Sequence, residues 1–388
     1  MSDSQLFVKV VGSMNWDIIN QVESHHEEWQ HAPFENADDI DPCPGGHGVN
    51  QAIAVYRASH QNSSSQSNVA ETQDDIQVYM IGMIGEDDDN RGQKIKKALA
   101  DNGVNVEGVH LAEKVRTGYA HIAVDGRGKP IIHNSPLANK RLTWDVVEKE
   151  LEKSPRADLI LVQLEIPLET VEKTIDYANK NRIPIIFNSA PASGGASNLY
   201  SHRTIFEVDH LILNHHCVQA ICAPLGPRSD TSQDDGMTTV SKIQATYAKY
   251  CDHFHNHGAR CVVITLGHRG VLASYLEPPD ENDERGQRTF FYPAKKQQRE
   301  PVDETGASDA FIGAYAVEVL KQMKTPANLG LHPVSFDLDI GRAIEHGMKA
   351  GSLTTERFGS FPAIPWRQQW AGPEIKWLTA NPFGNYCD

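Results

Sequence analysis

Six short, almost uninterrupted apolar runs recur along the chain, and they constrain its fold more than any other feature. They are Phe7 to Val11, Val78 to Ile84, Leu159 to Leu164, Ile183 to Phe187, His210 to Leu213 and Cys261 to Leu266. A strand that is apolar on both faces needs cover on both faces, as in the parallel sheets of α/β proteins. The runs therefore predict a mostly parallel sheet that is buried on both sides.

Helical patterns occupy the intervals between these runs. Thr143 stands where an N-cap is expected before an amphipathic segment, Pro167 opens a second such segment, and Gly103 follows a third as a C-terminal cap. An alternation of strands and helices is typical of an α/β fold with a layered sheet. We predict a single α/β domain over residues 1–388.

Two regions depart from this rhythm and alternate polar with apolar residues. They cover about residues 15–44 and 116–135, and the second contains the hairpin signal Gly126-Arg127-Gly128. We predict that they form a small β-structure projecting from the main domain. Three polar segments, at residues 61–75, 224–238 and 278–288, are predicted to be surface insertions because their composition cannot bury a core.

Charge and cysteine usage exclude several classes of function. The chain has 36 basic and 51 acidic residues, a formal charge of −15, which argues against nucleic acid or an anionic membrane as partner. No apolar run is long enough to span a bilayer, no secretory signal is evident, and the 6 cysteines lack zinc-ligand spacing. We expect a cytoplasmic protein, with the nucleus as a second compartment.

The segment Asp303 to Gly313, DETGASDAFIG, carries the strongest chemical signal. A turn of small residues, Gly306-Ala307-Ser308, leads into an apolar helix expected from Ala310 to about Leu320. Backbone amides at such a junction converge on one point and favour an anion there. Asp309 adds a carboxylate beside that point, as phosphoryl transfer to an alcohol requires. The alternative is that Asp309 is an ordinary residue of a helix N-terminus.

Polar side chains also stand where predicted strands end. Asn15 and Asp17 face the same way in an extended segment, and the glycine-rich turn at Gly45 and Gly46 leads to Asn50. Glu165, Asn188 and Asn214 follow three further strands, at the edge where α/β proteins bind ligands. Asn15, Asp17 and the glycines also suit ordinary turns, so the sequence leaves both readings open for them.

Taken in order, these segments resemble the ribokinase/fructokinase family of sugar kinases from Val8 to about Pro365. The segments that carry the resemblance are GSMNWD from Gly12, GGHGVNQA from Gly45, GMIGEDDDNRG from Gly82, RTGYA from Arg116, QLEIPLETV from Gln163, NSAPA from Asn188, TLGHRG from Thr265, DETGASDAF from Asp303 and ERFGSFPAIP from Glu356. The resemblance implies a three-layer α/β/α domain with a β-sheet lid that closes over the sugar and is a surface for homodimer formation.

The resemblance also implies roles for individual residues. Asp309 matches the catalytic base, and Gly306, Ala307 and Ser308 match the anion hole. Positions matching the sugar site are Asn15, Asp17, Gly45, Gly46, Asn50, Glu165 and Asp309. Positions matching the ATP site are Asn214, Thr265, Gly267, Arg269 and Gly270. Positions matching a potassium site are Asp303, Thr305, Thr354, Arg357 and Gly359.

Three departures from the family pattern stand out. His47 stands where the family usually has Lys or a similar residue, and Ser308 replaces a Gly of the anion hole. The motif Asn-x-x-Glu, which is linked to magnesium and phosphate handling, is present as Asn214 to Cys217 without its Glu. We expect an altered magnesium dependence from the last departure and little effect from Ser308 if its φ angle is negative.

The resemblance implies an ATP-dependent kinase that phosphorylates a terminal hydroxyl of a pentose, D-ribose first, with Mg²⁺ bridging the ATP phosphates and K⁺ bound nearby. Two alternatives remain at this point. In the first, the kinase phosphorylates another sugar or a nucleoside instead of ribose. In the second, the chain is a non-catalytic regulatory protein that responds to sugar or nucleotide. A shared fold does not decide among these functions.

Overall fold

The computed structural model describes residues 5–22, 39–62, 76–191, 196–202, 204–225, 240–276, 286–294, 299–325 and 338–371. Within them the strands are β1 (Leu6–Val11), β2 (Asn15–Gln21), β3 (Asp39–Gly45), β4 (Ile76–Gly85), β5 (Val109–Ala112), β6 (Gly118–Val124), β7 (Pro130–Ser135), β8 (Leu159–Gln163), β9 (Ile185–Asn188), β10 (His210–Asn214), β11 (Cys261–Thr265), β12 (Gly270–Leu276) and β13 (Gln287–Pro293).

The α-helices of the described residues alternate with the strands of the main sheet for most of the chain. They are α1 (His47–Ser59), α2 (Arg91–Asp101), α3 (Trp144–Glu152), α4 (Leu168–Asn181), α5 (His215–Ile221), α6 (Val240–Asn256), α7 (Ala307–Met323), α8 (Ile340–Thr354) and α9 (Ser360–Ala363). No described helix combines the length and apolarity that a membrane crossing requires.

The main sheet of the described residues has the order β13-β12-β11-β10-β9-β8-β1-β4-β5. The pairs from β11 to β5 are parallel, whereas β12 and β13 form an antiparallel hairpin at one edge. Alternate residues of each strand enter different cores. In β1, Val8 and Val10 pack with α1, α7 and α8, while Val11 packs on the side of α3 to α6. This three-layer α/β/α arrangement is the predicted fold class.

A second, four-stranded sheet of order β3-β2-β6-β7 stands apart from the main sheet. Its own small core contains Ile19, Ile122 and Val124. The hairpin between β6 and β7 turns at Gly128, which has a φ of 78°, as the Gly126-Arg127-Gly128 signal predicts. Apart from Gly45 at the end of β3, these strands fall in the two ranges predicted for the lid, 15–44 and 116–135. The term lid is used below for this sheet.

Several predicted boundaries need correction. Helix α1 begins at His47, five residues before the Ala52 expected from the sequence, and α7 begins at Ala307, three residues before the expected Ala310. Both starts were misplaced because small residues in a first turn give no helical signal. The insertion predicted for residues 278–288 ends too late, since Gln287 and Arg288 belong to β13. Residues 278–285 of that insertion and most of the other two, residues 63–75 and 226–238, lie outside the described residues.

Lys9 is a charged side chain in the middle of the sheet, and its role is to cap a helix. It is 2% exposed, and its Nζ donates to the carbonyl oxygens of Glu150, Leu151 and Lys153 at 2.8–3.1 Å. These carbonyls end α3 and have no partners inside the helix. Burial lowers the pKa of Lys9, and the charge of nearby Glu150 opposes that effect.

Replacing Lys9 with Met should therefore lower the free energy of unfolding by about 1–3 kcal/mol, because buried carbonyls lose their donor. Urea unfolding measures the change. The matched control is Lys97→Met on α2, whose side chain is 74% exposed and whose loss should change stability by less than about 0.5 kcal/mol. Equal stability of the two variants would contradict the capping role.

Candidate active site

Asp309 lies in the first turn of α7 and is 1% exposed. The N-cap of this helix is Gly306, whose φ of 80° is left-handed and therefore favours glycine. Ser308 is inside the helix and has a negative φ, so the serine fits where the family has glycine. The amide of Ala307 donates to the Glu304 carbonyl at 3.3 Å, which leaves the amides of Gly306 and Ser308 as the better anion donors of the predicted trio.

The Asp309 carboxylate is held by three side chains from the first turn of α1. The His47 ring nitrogen Nδ1 lies 2.9 Å from Oδ1, and Gln51 donates to the same oxygen at 2.9 Å. Asn50 donates to Oδ2 at 3.2 Å. Helices α1 and α7 pack directly against each other, so two helix N-termini meet at this carboxylate.

His47 forms an ion pair with Asp309. Burial by itself lowers the pKa of His47, but the charges of Asp309 and Glu165 and the hydrogen bond to Asp309 outweigh it and raise this pKa to about 10. The imidazole is therefore protonated at neutral pH. The departure from the family's usual Lys consequently keeps a positive charge at this position.

A chain of amides behind Asp309 fixes the orientation of Gln51. Gln51 also donates to Asn188 Oδ1 at 3.2 Å, and Gln163 donates to Gln51 Oε1 at 2.7 Å. Asn188 in turn donates to the Ile212 carbonyl at 2.9 Å. The edge residues Gln163 and Asn188 thus support the site from behind, because both are buried.

Glu165 lies just beyond the end of β8 and joins the main domain to the lid. Its Oε2 accepts from the amide of His47 at 3.0 Å and from the Ser13 hydroxyl. Its Oε1 accepts from Asn134 of β7 at 2.6 Å. Asn15, at the start of β2, accepts from Asn139 at 2.7 Å and lies 3.4 Å from Asn134.

Asp17 faces the same side of β2 as Asn15, as predicted, and both are buried. A Cβ on Gly45 would lie 1.9 Å from Asp17 Oδ2, so only glycine fits beside this carboxylate. Burial raises the pKa of Asp17 to about 8, with repulsion from Glu165 adding to the effect and a hydrogen bond from Ser360 opposing it.

Asp303 is a second buried carboxylate, close in sequence to Asp309. It accepts from the amide of Thr305 at 2.8 Å and from that of Gly359 at 2.9 Å. Its own amide donates to the Thr355 carbonyl, and the Arg357 amide donates to the Thr354 carbonyl. The five residues predicted for the potassium site, Asp303, Thr305, Thr354, Arg357 and Gly359, thus share one junction between two loops.

The residues predicted for the nucleotide site lie at the same end of the main sheet. Asn214 and Thr265 end the neighbouring strands β10 and β11 and pair in register. Gly267 to Arg269 form a 3-10 turn, and a Cβ on Gly267 would meet nothing within 4 Å. Burial raises the pKa of Glu304, and the charges of Lys129 of the lid and His268 of this turn oppose that effect.

Asn214 also has a structural role, because its Oδ1 accepts from the Cys217 amide at 2.9 Å and so caps α5. Cys217 itself is 2% exposed and packs in the apolar core on that side of the sheet. The position expected to carry a magnesium-linked Glu therefore holds a core thiol. Within the described part of the chain, no group of three or more His, Cys, Asp or Glu side chains is placed to hold a metal ion.

Several polar residues of this site were missed in the sequence. Ser13, Gln51 and Ser360 lie inside the segments GSMNWD, GGHGVNQA and ERFGSFPAIP, but roles were predicted only for other residues of these segments. Asn134 lies near the end of β7 and Asn139 just after it, in a stretch of sequence without a recognisable pattern. Only the fold brings these two asparagines to Glu165 and Asn15.

Comparisons with known proteins identify the family of the chain. The model of the family described as pfkB family carbohydrate kinase matches residues 5–367. A ribokinase of Schizosaccharomyces pombe is 28% identical over 362 residues, which are 92% of this chain and 94% of that protein.

Two solved structures share the fold. The ribokinase of Giardia lamblia has a TM-score of 0.71 at 20% identity, covering 95% of this chain and 98% of its own. The Arabidopsis thaliana ribokinase, solved with ribose and ATP, has a TM-score of 0.66 at 19% identity and covers the same shares. The chain therefore belongs to the pfkB family of carbohydrate kinases, and it is a phosphotransferase that acts on an alcohol acceptor.

Proposed function

We propose that the protein is a ribokinase that transfers the γ-phosphoryl group of ATP to O5 of D-ribose. The observation that carries this proposal is the buried Asp309 carboxylate, oriented by His47, Asn50 and Gln51 beside the first amides of α7. The ribokinase of Schizosaccharomyces pombe and the ribose- and ATP-bound Arabidopsis thaliana structure support ribose as the acceptor.

In this proposal Asp309 accepts the proton of the O5 hydroxyl as that oxygen attacks the γ-phosphorus. The bond from the γ-phosphorus to the β–γ bridging oxygen breaks, and ADP leaves with that electron pair. The amides of Gly306 and Ser308 lie where charge on the transferring group is stabilised. Mg²⁺ would enter with the ATP substrate and would offset the negative charge of its phosphates.

The sugar is proposed to lie between the main sheet and the lid, against Asn15, Asp17, Gly45, Gly46, Asn50 and Glu165. Asn50 supports this placement, because its Oδ1 is buried and finds no hydrogen-bond partner among the described residues. A buried acceptor without a partner is costly, and a sugar hydroxyl would satisfy it. Which class of acceptor these residues bind can be tested directly.

Nucleotide binding is proposed at the open edge formed by Asn214, Thr265, Gly267, Arg269 and Gly270. Gly267 has open space beside it, so the adenosine moiety can approach its backbone closely. His268 lies near Glu304, which places this turn close to the loop that leads to Asp309.

A monovalent cation fits the junction around Asp303. Its carboxylate is fully buried and accepts hydrogen bonds from the backbone amides of Thr305 and Gly359, and the buried Thr305 hydroxyl lies beside it. We propose that Asp303, Thr305, Thr354, Arg357 and Gly359 hold K⁺, which would neutralise the buried charge. Lid closure over the sugar, a homodimer through the lid and a cytoplasmic or nuclear location stay predictions.

The direct test of acceptor class is ATP consumption on a panel of pentoses, hexoses and nucleosides. Ribose should support the highest kcat/KM. A higher value for a nucleoside or another sugar would assign the acceptor to that class. No consumption with any acceptor would favour a non-catalytic regulatory protein.

Asp309→Asn should lower kcat by about 10²–10⁴ while ATP and ribose still bind, because a neutral amide cannot accept the proton. The free energy of unfolding should also fall by about 1–3 kcal/mol, because the NH₂ group of asparagine would face side chains that are themselves hydrogen-bond donors. Asp145→Asn, which alters an exposed acidic residue in the first turn of α3, is the control and should keep kcat. Near-normal turnover in Asp309→Asn would falsify the proposed role.

The His47 ion pair should make stability depend on pH. A folded-state pKa of about 10, above the ordinary value near 6.5, means that the pair stabilises fully below about pH 6.5 and is lost as pH rises towards 10. The stability difference between wild type and His47→Gln should therefore shrink by roughly 3–4 kcal/mol between about pH 6 and pH 9.5. Urea unfolding at both values measures it.

His47→Lys is the matched control, because it keeps a positive charge through this pH range. Its stability relative to wild type should not fall over the interval. A wild-type to His47→Gln difference that stays constant with pH would mean that the imidazole is neutral, contrary to the ion pair.

Activity should rise with potassium. At fixed ionic strength, kcat/KM for ribose should be several-fold higher in potassium chloride than in lithium or choline chloride, because K⁺ offsets the buried Asp303 charge. Thr305→Ala should reduce this difference, since it removes a buried hydroxyl oxygen beside the Asp303 carboxylate. Equal rates in all three salts would remove the cation site from the proposal.

A further inference from the structure

Ser360 is a buried residue whose hydroxyl reaches the proposed sugar site. It is the first residue of α9 and has no exposed surface. Its Oγ donates to Asp17 Oδ2 at 3.0 Å. Asp17 is itself 3% exposed, so this hydrogen bond is shielded from water. Removing the hydroxyl would leave the Asp17 carboxylate with one hydrogen-bond donor fewer.

The backbone of Ser360 is tied to the proposed cation junction. The preceding residue, Gly359, donates its amide to Asp303 Oδ2 at 2.9 Å and has a left-handed φ of 84°. Ser360 also lies against the turn before α7, because a Cβ built on Gly306 would be 3.0 Å from Ser360 Cα. One short segment thus contacts Asp17, Asp303 and Gly306.

We propose that Ser360 is a positioning residue that couples monovalent cation binding to sugar binding. A cation beside Asp303 would fix Gly359, and Gly359 fixes the direction in which the next hydroxyl points. That hydroxyl then holds Asp17 in the orientation in which it binds the sugar. The inference rests on the proposed function, since it takes Asp17 as a sugar ligand and Asp303 as a cation ligand.

Coupling between two sites is reciprocal and commonly amounts to about 5–150-fold in affinity. We therefore expect ribose to bind wild type at least about fivefold more tightly in potassium chloride than in choline chloride at equal ionic strength. In Ser360→Ala this ratio should fall below about twofold. The KM for ribose should rise while kcat at saturating ribose and potassium stays within about threefold of wild type. This is the pattern expected when a mutation removes binding energy that is equal in the ground state and the transition state.

The experiment is isothermal titration calorimetry of ribose into wild type, Ser360→Ala, Ser360→Thr and Ser59→Ala in both salts. Ser360→Thr keeps the hydroxyl and should restore the coupling. Ser59 is equally buried but bonds to backbone carbonyls at the end of α1, so Ser59→Ala should keep the wild-type ratio. Circular dichroism confirms that each variant is folded.

The wild-type ratio found in Ser360→Ala would overturn the coupling role while leaving the kinase intact. If wild type bound ribose equally tightly in potassium chloride and choline chloride, the coupling role would be overturned even if Ser360→Ala failed to fold. Absence of ribose binding in both salts would instead refute ribose as the ligand, and the coupling proposal would fall with it. A changed kcat at unchanged ribose affinity would show that Ser360 acts on the turn at Gly306, contrary to the proposal.

Discussion

The central interaction of this protein is the buried carboxylate of Asp309 held by the first turn of α1. His47, Asn50 and Gln51 approach it from one helix, and the helix that carries Asp309 provides the neighbouring amides. Burying a charge is costly unless it is paired and hydrogen-bonded. The packing of α1 on α7, the glycine-rich turn and the amide chain behind Gln51 together meet that condition.

Charge balance explains much of the rest of the site. Asp17, Glu165 and Asp309 are near enough for all three to raise the pKa of His47. Burial, with added repulsion from Glu165 and Asp309, raises the pKa of Asp17 to about 8. Their mutual repulsion is reduced by one imidazolium and by hydroxyl and amide donors such as Ser360 and Asn134. A polyhydroxylated sugar suits such a surface, because its hydroxyls donate to carboxylates without adding charge.

Much of the architecture could be predicted from sequence because local patterns and the final fold agree. Buried parallel strands read as apolar runs, and both the three-layer fold and the family membership are confirmed. The starts of α1 and α7 were misplaced, because glycine and serine in a first turn carry no helical signal. Strands β12 and β13 and the partners Asn134, Asn139 and Ser360 depend on contacts between distant segments. No local pattern marks them.

The proposed reaction transfers the phosphoryl group to O5 of ribose and to no other oxygen. The protein should be incubated with ATP, magnesium, potassium and D-ribose, and the product analysed by phosphorus–proton correlation NMR. We predict one sugar phosphate, with the phosphorus coupled to the two protons on C5 of ribose. Phosphate on any other ribose oxygen, or ATP hydrolysed to free phosphate without a sugar product, would contradict it.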